Sequence, residues 1–242
     1  VGARSGLNLT ISSAPRTIKG NGLRFGQSPY QSSLRLASPE GRFALKMGEG
    51  DGAIELGNMV GFGRASDYDP SQGGANPFLG MASGDAYGQI SYAFNDALSV
   101  SAGFTRQDTR YDLRAMSLQQ QLSYAGISGY STGASTVSVA YRPVASLELT
   151  GAYTRLAEKD GILGIQSLSS DVIGKGATTD GVTLGATWQA TPTLQIAASA
   201  TTGRTQSSSA GTLVATGSGG FRTSAYQVTL AKQHVFDAKD AL

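Results

Sequence analysis

Alternation with a period of two runs through most of this chain, in copies of one pattern. "YGQISYAF-ND-ALSVSAGFTRQ" spans Tyr87 to Gln107, "STVSVAYR-PVA-SLELTGAYTR" spans Ser135 to Arg155, and "GVTLGATWQ-ATP-TLQIAASATTGR" spans Gly181 to Arg204. A fourth copy opens at Thr223 with "TSAYQVTLAKQHV-FDAKD-AL". Each copy reads as a strand of about 8 to 10 residues, a tight turn and a second strand, which is a β-hairpin. In the first, Ile90, Tyr92, Leu98, Val100, Ala102 and Phe104 share one face, and Gln89, Ser91, Ser99, Ser101 and Thr105 the other. In the second, Val137, Val139, Tyr141, Leu147, Leu149 and Tyr153 oppose Thr136, Ser138, Arg142, Glu148 and Thr150. In the third, Val182, Leu184, Trp188, Leu194 and Ile196 oppose Thr183, Thr187, Thr193 and Gln195. Two faces of opposite polarity mean that the sheet meets a different medium on each side.

The connections differ by side. Turns inside the hairpins are short, while 108–134, 156–180 and 205–222 are long stretches rich in Gly, Ser, Thr and Gln. Structureless loops beyond about 12–15 residues are uncommon in compact soluble domains. Short turns on one rim and long loops on the other are the plan of a transmembrane β-barrel, whose tilted strands need about 9–11 residues to cross. The expected fold is therefore all-β: an antiparallel up-and-down transmembrane β-barrel, or most of one. Tyr92, Phe94, Phe104, Tyr141, Tyr153, Trp188, Tyr226 and Phe236 sit near strand ends, as lipid-facing girdle residues do at the two membrane interfaces. Gln89, Arg142, Glu148, Thr150 and Gln195 are the candidates for the lumen side.

Composition agrees. Charged residues make up 15% of the 242 and hydrophobic ones 40%, with 33 Gly. Few charges without high hydrophobicity suit a protein that meets an apolar medium with half its residues and water with the other half. A net charge of +2 carries no nucleic-acid signature. The absence of Cys excludes disulfides, thiolate metal sites and Cys catalysis. No stretch approaches the roughly 18 apolar residues of a transmembrane helix. The start, "VGARSGLNLT", has no apolar signal core, so it reads as a processed start or a piece of something longer.

The whole chain, 1–242, reads as one β-barrel domain, incomplete at its C-terminus. Residues 1–63 hold less regular strands: Leu7, Leu9 and Ile11 alternate with Asn8, Thr10 and Ser12, "SSLRLA-SPEG-RFALKMG" (Ser32 to Gly48) looks like a hairpin, and "IELGNMVGFG" (Ile54 to Gly63) like a further strand. Arg35, Arg42 and Lys46 are read as pointing into a lumen. Residues 64–86 read as a loop containing "GGANPFLGMASG", and 87–242 as the repeated hairpins.

No residue pattern supports catalysis, a cofactor or a metal. The one His, His234, falls at a turn beside Phe236 and reads as a solvated turn residue, since one His without Cys makes no His-rich metal site. "GSGG" (Gly217 to Gly220) lacks the Lys-Ser/Thr of a phosphate loop, and no G-x-S-x-G elbow occurs. Arg142 and Glu148 have two readings, a lumen pair that sets the pore field or a pair solvated at the rim; the second is favoured because exposed pairs contribute little. "DTRYDLR" (Asp108 to Arg114) and "AEKDG" (Ala157 to Gly161) are charged loop openings, read as solvated in preference to sites for a partner or lipopolysaccharide phosphates.

The order "NPFLGMA" (Asn76 to Ala82), "YAFNDALSVSAGFTRQ", "VAYRPVASLELTGAYTRLAEKDGILG" and "GATWQATPTLQIAASATTGRT" resembles the C-terminal region of alphaproteobacterial subtilisin-like (S8 family) autotransporter peptidases. The resemblance covers roughly Ala75 to Leu242 and rests on the series of hairpins, not on one sharp motif. It implies an outer-membrane barrel that anchors, exports or displays an upstream passenger. The family's catalytic Asp, His and Ser motifs are absent, and "GTLV" and "GAST" do not substitute, so no protease activity carries over to any residue here. Family members continue past the position of Leu242. The expectation is that the strand around Tyr226 to Lys232 lacks a neighbour on one side, or pairs with missing C-terminal strands or an additional chain.

The sequence thus predicts an outer-membrane β-barrel segment of a bacterial envelope, without catalysis of its own, in contact with outer-membrane lipid or lipopolysaccharide and not with nucleic acid. The alternatives are a porin-like channel or structural barrel subunit of a larger envelope complex, and a secreted soluble β-rich binding module.

Overall fold

The computed structural model describes residues 7–15, 30–50, 56, 76–82, 86–110, 129–166, 175–207 and 220–232. Ten strands form one antiparallel sheet in chain order. They are β1 (Asn8–Pro15), β2 (Tyr30–Ala37), β3 (Phe43–Glu49), β4 (Ala86–Ala93), β5 (Leu98–Arg110), β6 (Gly129–Val144), β7 (Leu147–Lys159), β10 (Gly176–Thr191), β11 (Leu194–Ser207) and β12 (Phe221–Lys232). Between β7 and β10, β8 (Gly161–Ile162) and β9 (Ile165–Gln166) pair as a separate small hairpin. One helical turn, α1 (Pro77–Gly80), lies in the connection from β3 to β4. The all-β expectation holds, and the sheet is open: among the described residues β12 pairs with β11 alone, as expected for the stretch around Tyr226 to Lys232, and β1 with β2 alone.

Local chemistry closes the short turns. Asn95 Oδ1 accepts from the amides of Ala97 and Leu98 at 2.9 and 2.8 Å, an Asx turn that reverses the chain between β4 and β5. Ser38 Oγ accepts from Phe43 N–H, and Gly41 takes φ +70 between β2 and β3. Pro143 cannot donate to a ladder, and the register shifts there, between Tyr141 and Val144.

Several strands are longer than the sequence pattern predicts. β6 and β10 run 16 residues, and β5 and β7 run 13. Stretches read as loop openings continue the ladder instead, with Thr132 opposite Glu158 and Thr109 opposite Tyr130. Past Ser135 and Tyr153 the outer face turns polar, so the alternation that marks a strand disappears, but backbone pairing needs no apolar side chain. The strand expected over Ile54–Gly63 lies outside the described residues except for Leu56, which is helical and buried. Phe236, His234 and the "FDAKD" turn also lie outside them.

Burial is inverted relative to an ordinary sheet packed on a core. On the inner face, Thr105, Thr132, Thr136, Thr154, Thr179, Thr183, Thr201 and Thr205 are buried. On the outer face, Val137, Val139, Leu184, Trp188, Tyr226, Val228 and Leu230 are exposed, up to 82% at Tyr226. The apolar band also runs obliquely across the ladder. One row of paired residues starts at Ile11, Leu34 and Met47 and ends at Arg155, Asp180, Arg204 and Arg222. A level band on tilted strands has this slant.

The inner threonines pair across strands, with Thr179 and Thr205 hydroxyls 2.8 Å apart and those of Thr183 and Thr201 2.9 Å apart. Removing one hydroxyl of a buried pair strands the other. We expect Thr179→Val to lower stability by about 1–2 kcal/mol, and adding Thr205→Val to recover most of that. A double-mutant cycle by denaturant unfolding checks it; strictly additive losses would contradict the pairing.

Candidate functional site

The inner face holds an apolar segment in place of more threonine. Asn76, Phe78, Leu79 and Ala82 are buried, and the last three form the hydrophobic cluster with Leu56, Ala134 and Leu156, flanked by Met81 and Leu163. Pro77 at the first turn supplies the fixed φ that starts α1. Polar bonds fasten the segment to the wall at both ends. Asn76 Nδ2 donates to Thr154 Oγ1 at 2.8 Å, and Thr105 Oγ1 donates to the Ala82 carbonyl at 2.9 Å. Thr154 in turn donates to Thr136 at 3.0 Å, so the attachment continues into β6.

Three glycines make the seat. A Cβ on Gly181 or Gly203 would overlap the Phe78 ring, and one on Gly103 would overlap Leu56. Gly181 and Gly203 are direct cross-strand partners, so their bare backbones form one socket on β10 and β11. The segment from Asn76 to Ala82 therefore reaches β5, β7, β10 and β11. In a flat sheet β5 and β11 would stand about 19 Å apart at roughly 4.8 Å per strand. Seven residues that include a helical turn span about 9 Å. The sheet must curl around the segment for these contacts to coexist.

Glu158 covers one side of this cluster. Its side chain is buried and accepts three bonds: Tyr130 Oη–H at 3.0 Å, and the amides of Leu163 and Gly164 at 2.7 Å each. Leu163 and Gly164 have φ +48 and +77, the paired positive φ of a type I′ hairpin turn, which a Leu adopts only under compensation. The carboxylate supplies that compensation and draws the β8–β9 hairpin toward Met81, which lies next to Gly164.

The sequence-read lumen residues Gln89, Arg142, Glu148, Thr150 and Gln195 share the inner-face register with the threonines. Arg142, Glu148 and Gln195 come together around a cleft of about 560 Å³ at the short-turn rim, with Arg142 Nε donating to Glu148 Oε2. The pair is unequal: side-chain exposure is 45% for Arg142 and 13% for Glu148. Gln89 lies apart, opposite Lys46, and Thr150 is buried opposite Gly185. Tyr92, Phe94, Phe104, Tyr141, Tyr153, Trp188 and Tyr226 are all exposed, the least of them at 45%, on the far side from the inner segment. Tyr92 and Phe94 meet edge to face, with ring centroids 5.0 Å apart. Phe104 lies over Gly88 on the neighbouring strand.

Sequence reasoning missed the inner segment and Glu158. The segment was read as loop, and Glu158 as part of a solvated loop opening. The signal was present: bare glycines at inward positions among threonines, and "PFLGM" as an apolar run with no strand to belong to. Chemically the arrangement occludes. It fills polar-walled space with Phe and Leu, and among the described residues no nucleophile and base are assembled there.

The chain has no cysteine, so a single introduced thiol reports on the segment. Leu79→Cys is expected to resist maleimide in the folded protein, and adding Gly181→Val to speed its labelling roughly tenfold or more, equivalent to about 1.4 kcal/mol of opening. Phe78→Ala should cost about 3–5 kcal/mol of stability. Glu158→Gln keeps one acceptor oxygen where two now serve three donors. It is expected to raise amide exchange at Leu163 and Gly164 by about 1.5–3 kcal/mol of lost protection, while exchange along β11 stays unchanged.

No protein-family model matches this chain, and no curated protein matches it. Its function has to be read from the sheet and from what the sheet encloses.

Proposed function

We propose that this chain is the membrane-spanning β-barrel part of a bacterial outer-membrane protein, similar to an autotransporter translocator, that anchors, exports or displays a passenger and carries no catalysis of its own. The inverted burial of the sheet carries this reading. In water, exposed Tyr226, Val228, Leu230, Leu184 and Val137, on β12, β10 and β6 of one sheet face, would be an aggregation surface far larger than a monomer tolerates. In lipid they are the anchor. The apolar stretch on β7, from Leu147 to Tyr153, covers on the order of 20 Å at about 3.3 Å per residue. That approaches the roughly 25 Å band of an outer-membrane barrel.

Lipid also sets a requirement at the edges. Unpaired amides and carbonyls of β1 and β12 would each cost several kcal/mol in hydrocarbon. They are met by each other, by further strands or by another chain. On this reading the Asn76–Ala82 segment is a plug, held in a wall of threonines, and passage of a passenger or solute requires it to move. A second reading, a porin-like channel, draws on the charged cleft at Arg142 and Glu148. The soluble β-rich module is the reading that the exposed apolar band opposes.

Three measurements separate them. The purified protein should need detergent and show heat-modifiable gel mobility; a detergent-free soluble monomer ends the membrane reading. Leu149→Arg, on the outer face, is expected to lower stability in lipid vesicles by about 2–4 kcal/mol, and Leu149→Phe by little. In planar bilayers the intact chain should conduct little, and a variant with 76–82 replaced by a Gly/Ser linker should conduct steadily. Steady conductance of the intact chain favours the channel over the plugged translocator.

A further inference from the structure

We infer that the β8–β9 hairpin is a strap over the inner segment, and that hairpin and segment are released together from the side of the long loops. The inference rests on the plug reading above and assigns the plug its restraint. The hairpin meets the segment with its tip. Leu163 packs, partly buried, against the cluster that holds Phe78, Leu79 and Ala82. A Cβ placed on Gly164 would stand 3.4 Å from Met81 Cγ and 3.9 Å from Met81 Cβ, which is van der Waals contact. Behind the tip, Ile162 is buried, and a Cβ on Gly161 would overlap the Tyr130 ring. Ile165, the ladder partner of Ile162, is 61% exposed. The hairpin thus touches the segment and also presents an apolar side chain to its surroundings.

The tip is held against its backbone preference. Among the described residues, Asp160 and Leu163 are the two other than Gly with positive φ, at +58 and +48. Such conformations persist only where the surroundings over-determine them. At the base of the hairpin, Asp160 N–H donates to the Lys175 carbonyl at 3.3 Å, where the chain returns to β10. At the tip, Glu158 accepts from the Leu163 and Gly164 amides at 2.7 Å each, and its third bond comes from Tyr130 Oη–H on β6. Bonds to an ionised acceptor are the strong ones. The tie therefore runs from the wall through one carboxylate to the tip, and from the tip to Met81.

Loss of that carboxylate leaves two amides unpaired and the Leu163 conformation uncompensated, so the tip relaxes away from Met81. A strained element tied down by a local charge has two arrangements, which is what a switch needs. The coupling is reciprocal: a hairpin that restrains the segment is itself supported by the segment. It also gives release of the segment a handle on the long-loop side. An event at the exposed hairpin reaches Phe78 and Leu79 through Met81 and Leu163 without touching them.

The test uses the full chain in neutral detergent, with amide exchange read residue by residue. Leu79 and Ala82 amides bond the Asn76 and Leu79 carbonyls and so report on the segment. Glu158→Gln should speed their exchange at least tenfold, together with that of Leu163 and Gly164. Gly181→Val, which removes the Phe78 seat on β10, should in turn speed exchange at Leu163 and Gly164 at least threefold. Parent rates at Leu79 and Ala82 in Glu158→Gln overturn the inference, whether or not the hairpin itself loosens. Should that variant not fold, a covalent lock takes its place. The chain has no cysteine, and the Gly164–Met81 Cβ separation lies in the disulfide range. Met81→Cys/Gly164→Cys, oxidised with diamide, should exchange at Leu79 and Ala82 at least threefold more slowly than its own reduced form, a reference in which the strain of Cys at φ +77 is already present. Equal rates in the two forms, or no crosslink, overturn the strap. Failure of the plug reading looks different: the chain with 76–82 replaced by a Gly/Ser linker would not conduct, while the exchange coupling would still be read.

Discussion

Antiparallel register is the constraint on which the rest of this molecule depends. Side chains alternate with a period of two, so a slip of one residue in any pairing would exchange the threonine face for the apolar one. The register is held from both ends. At the short-turn rim, the Asx turn at Asn95 and the shifts at Pro143 and after Gln189 set where each strand begins. Within the sheet, threonine hydroxyl pairs and the Gly181–Gly203 socket admit only one alignment.

The inner segment turns that register into a functional shape. Phe78 enters a gap that exists only because two glycines face each other, and Leu56 uses a third at Gly103. Burial of these side chains supplies apolar packing that the threonine wall lacks. The hydroxyls of Thr105 and Thr154 and the carboxylate of Glu158 satisfy backbone and side-chain groups that the segment and its neighbouring hairpin would otherwise bury unpaired. The wall and its filling are thus one system. On the proposed reading, loss of the seat frees the segment while the ladder persists, as a removable plug requires.

The outer face divides along the same strands. Near the short turns it is aliphatic and aromatic; toward the long loops it becomes Ser, Arg, Asp and Lys. The slant of that boundary across the ladder places charge and hydrocarbon-like surface within two residues of each other on β7 and β10. The contrast between the faces fits a molecule that meets one medium laterally, another internally, and a charged layer where the two give way.

The hairpins, their turns and the polarity of their faces were legible in the sequence. Alternation at Val137, Val139 and Tyr141 against Thr136 and Ser138 is a local property, and period two leaves one backbone conformation that uses it. The positions expected to form the aromatic girdle and to face a lumen were assigned from the same parity. Strand ends were not legible, because β5, β6, β7 and β10 continue where the alternation has faded and only backbone pairing persists. Nor was the enclosed segment. "NPFLGMA" has no period, and nothing local says that its Phe will meet glycines more than a hundred residues along the chain. Glu158 read as solvated for the same reason: its donors are Tyr130 on the neighbouring strand and the amides of a hairpin whose shape its own bonds determine. The sequence by itself determined which side of each strand is polar; tertiary structure alone decided what that side encloses, because cavity filling and buried hydrogen bonds depend on which distant backbones the curled sheet brings together.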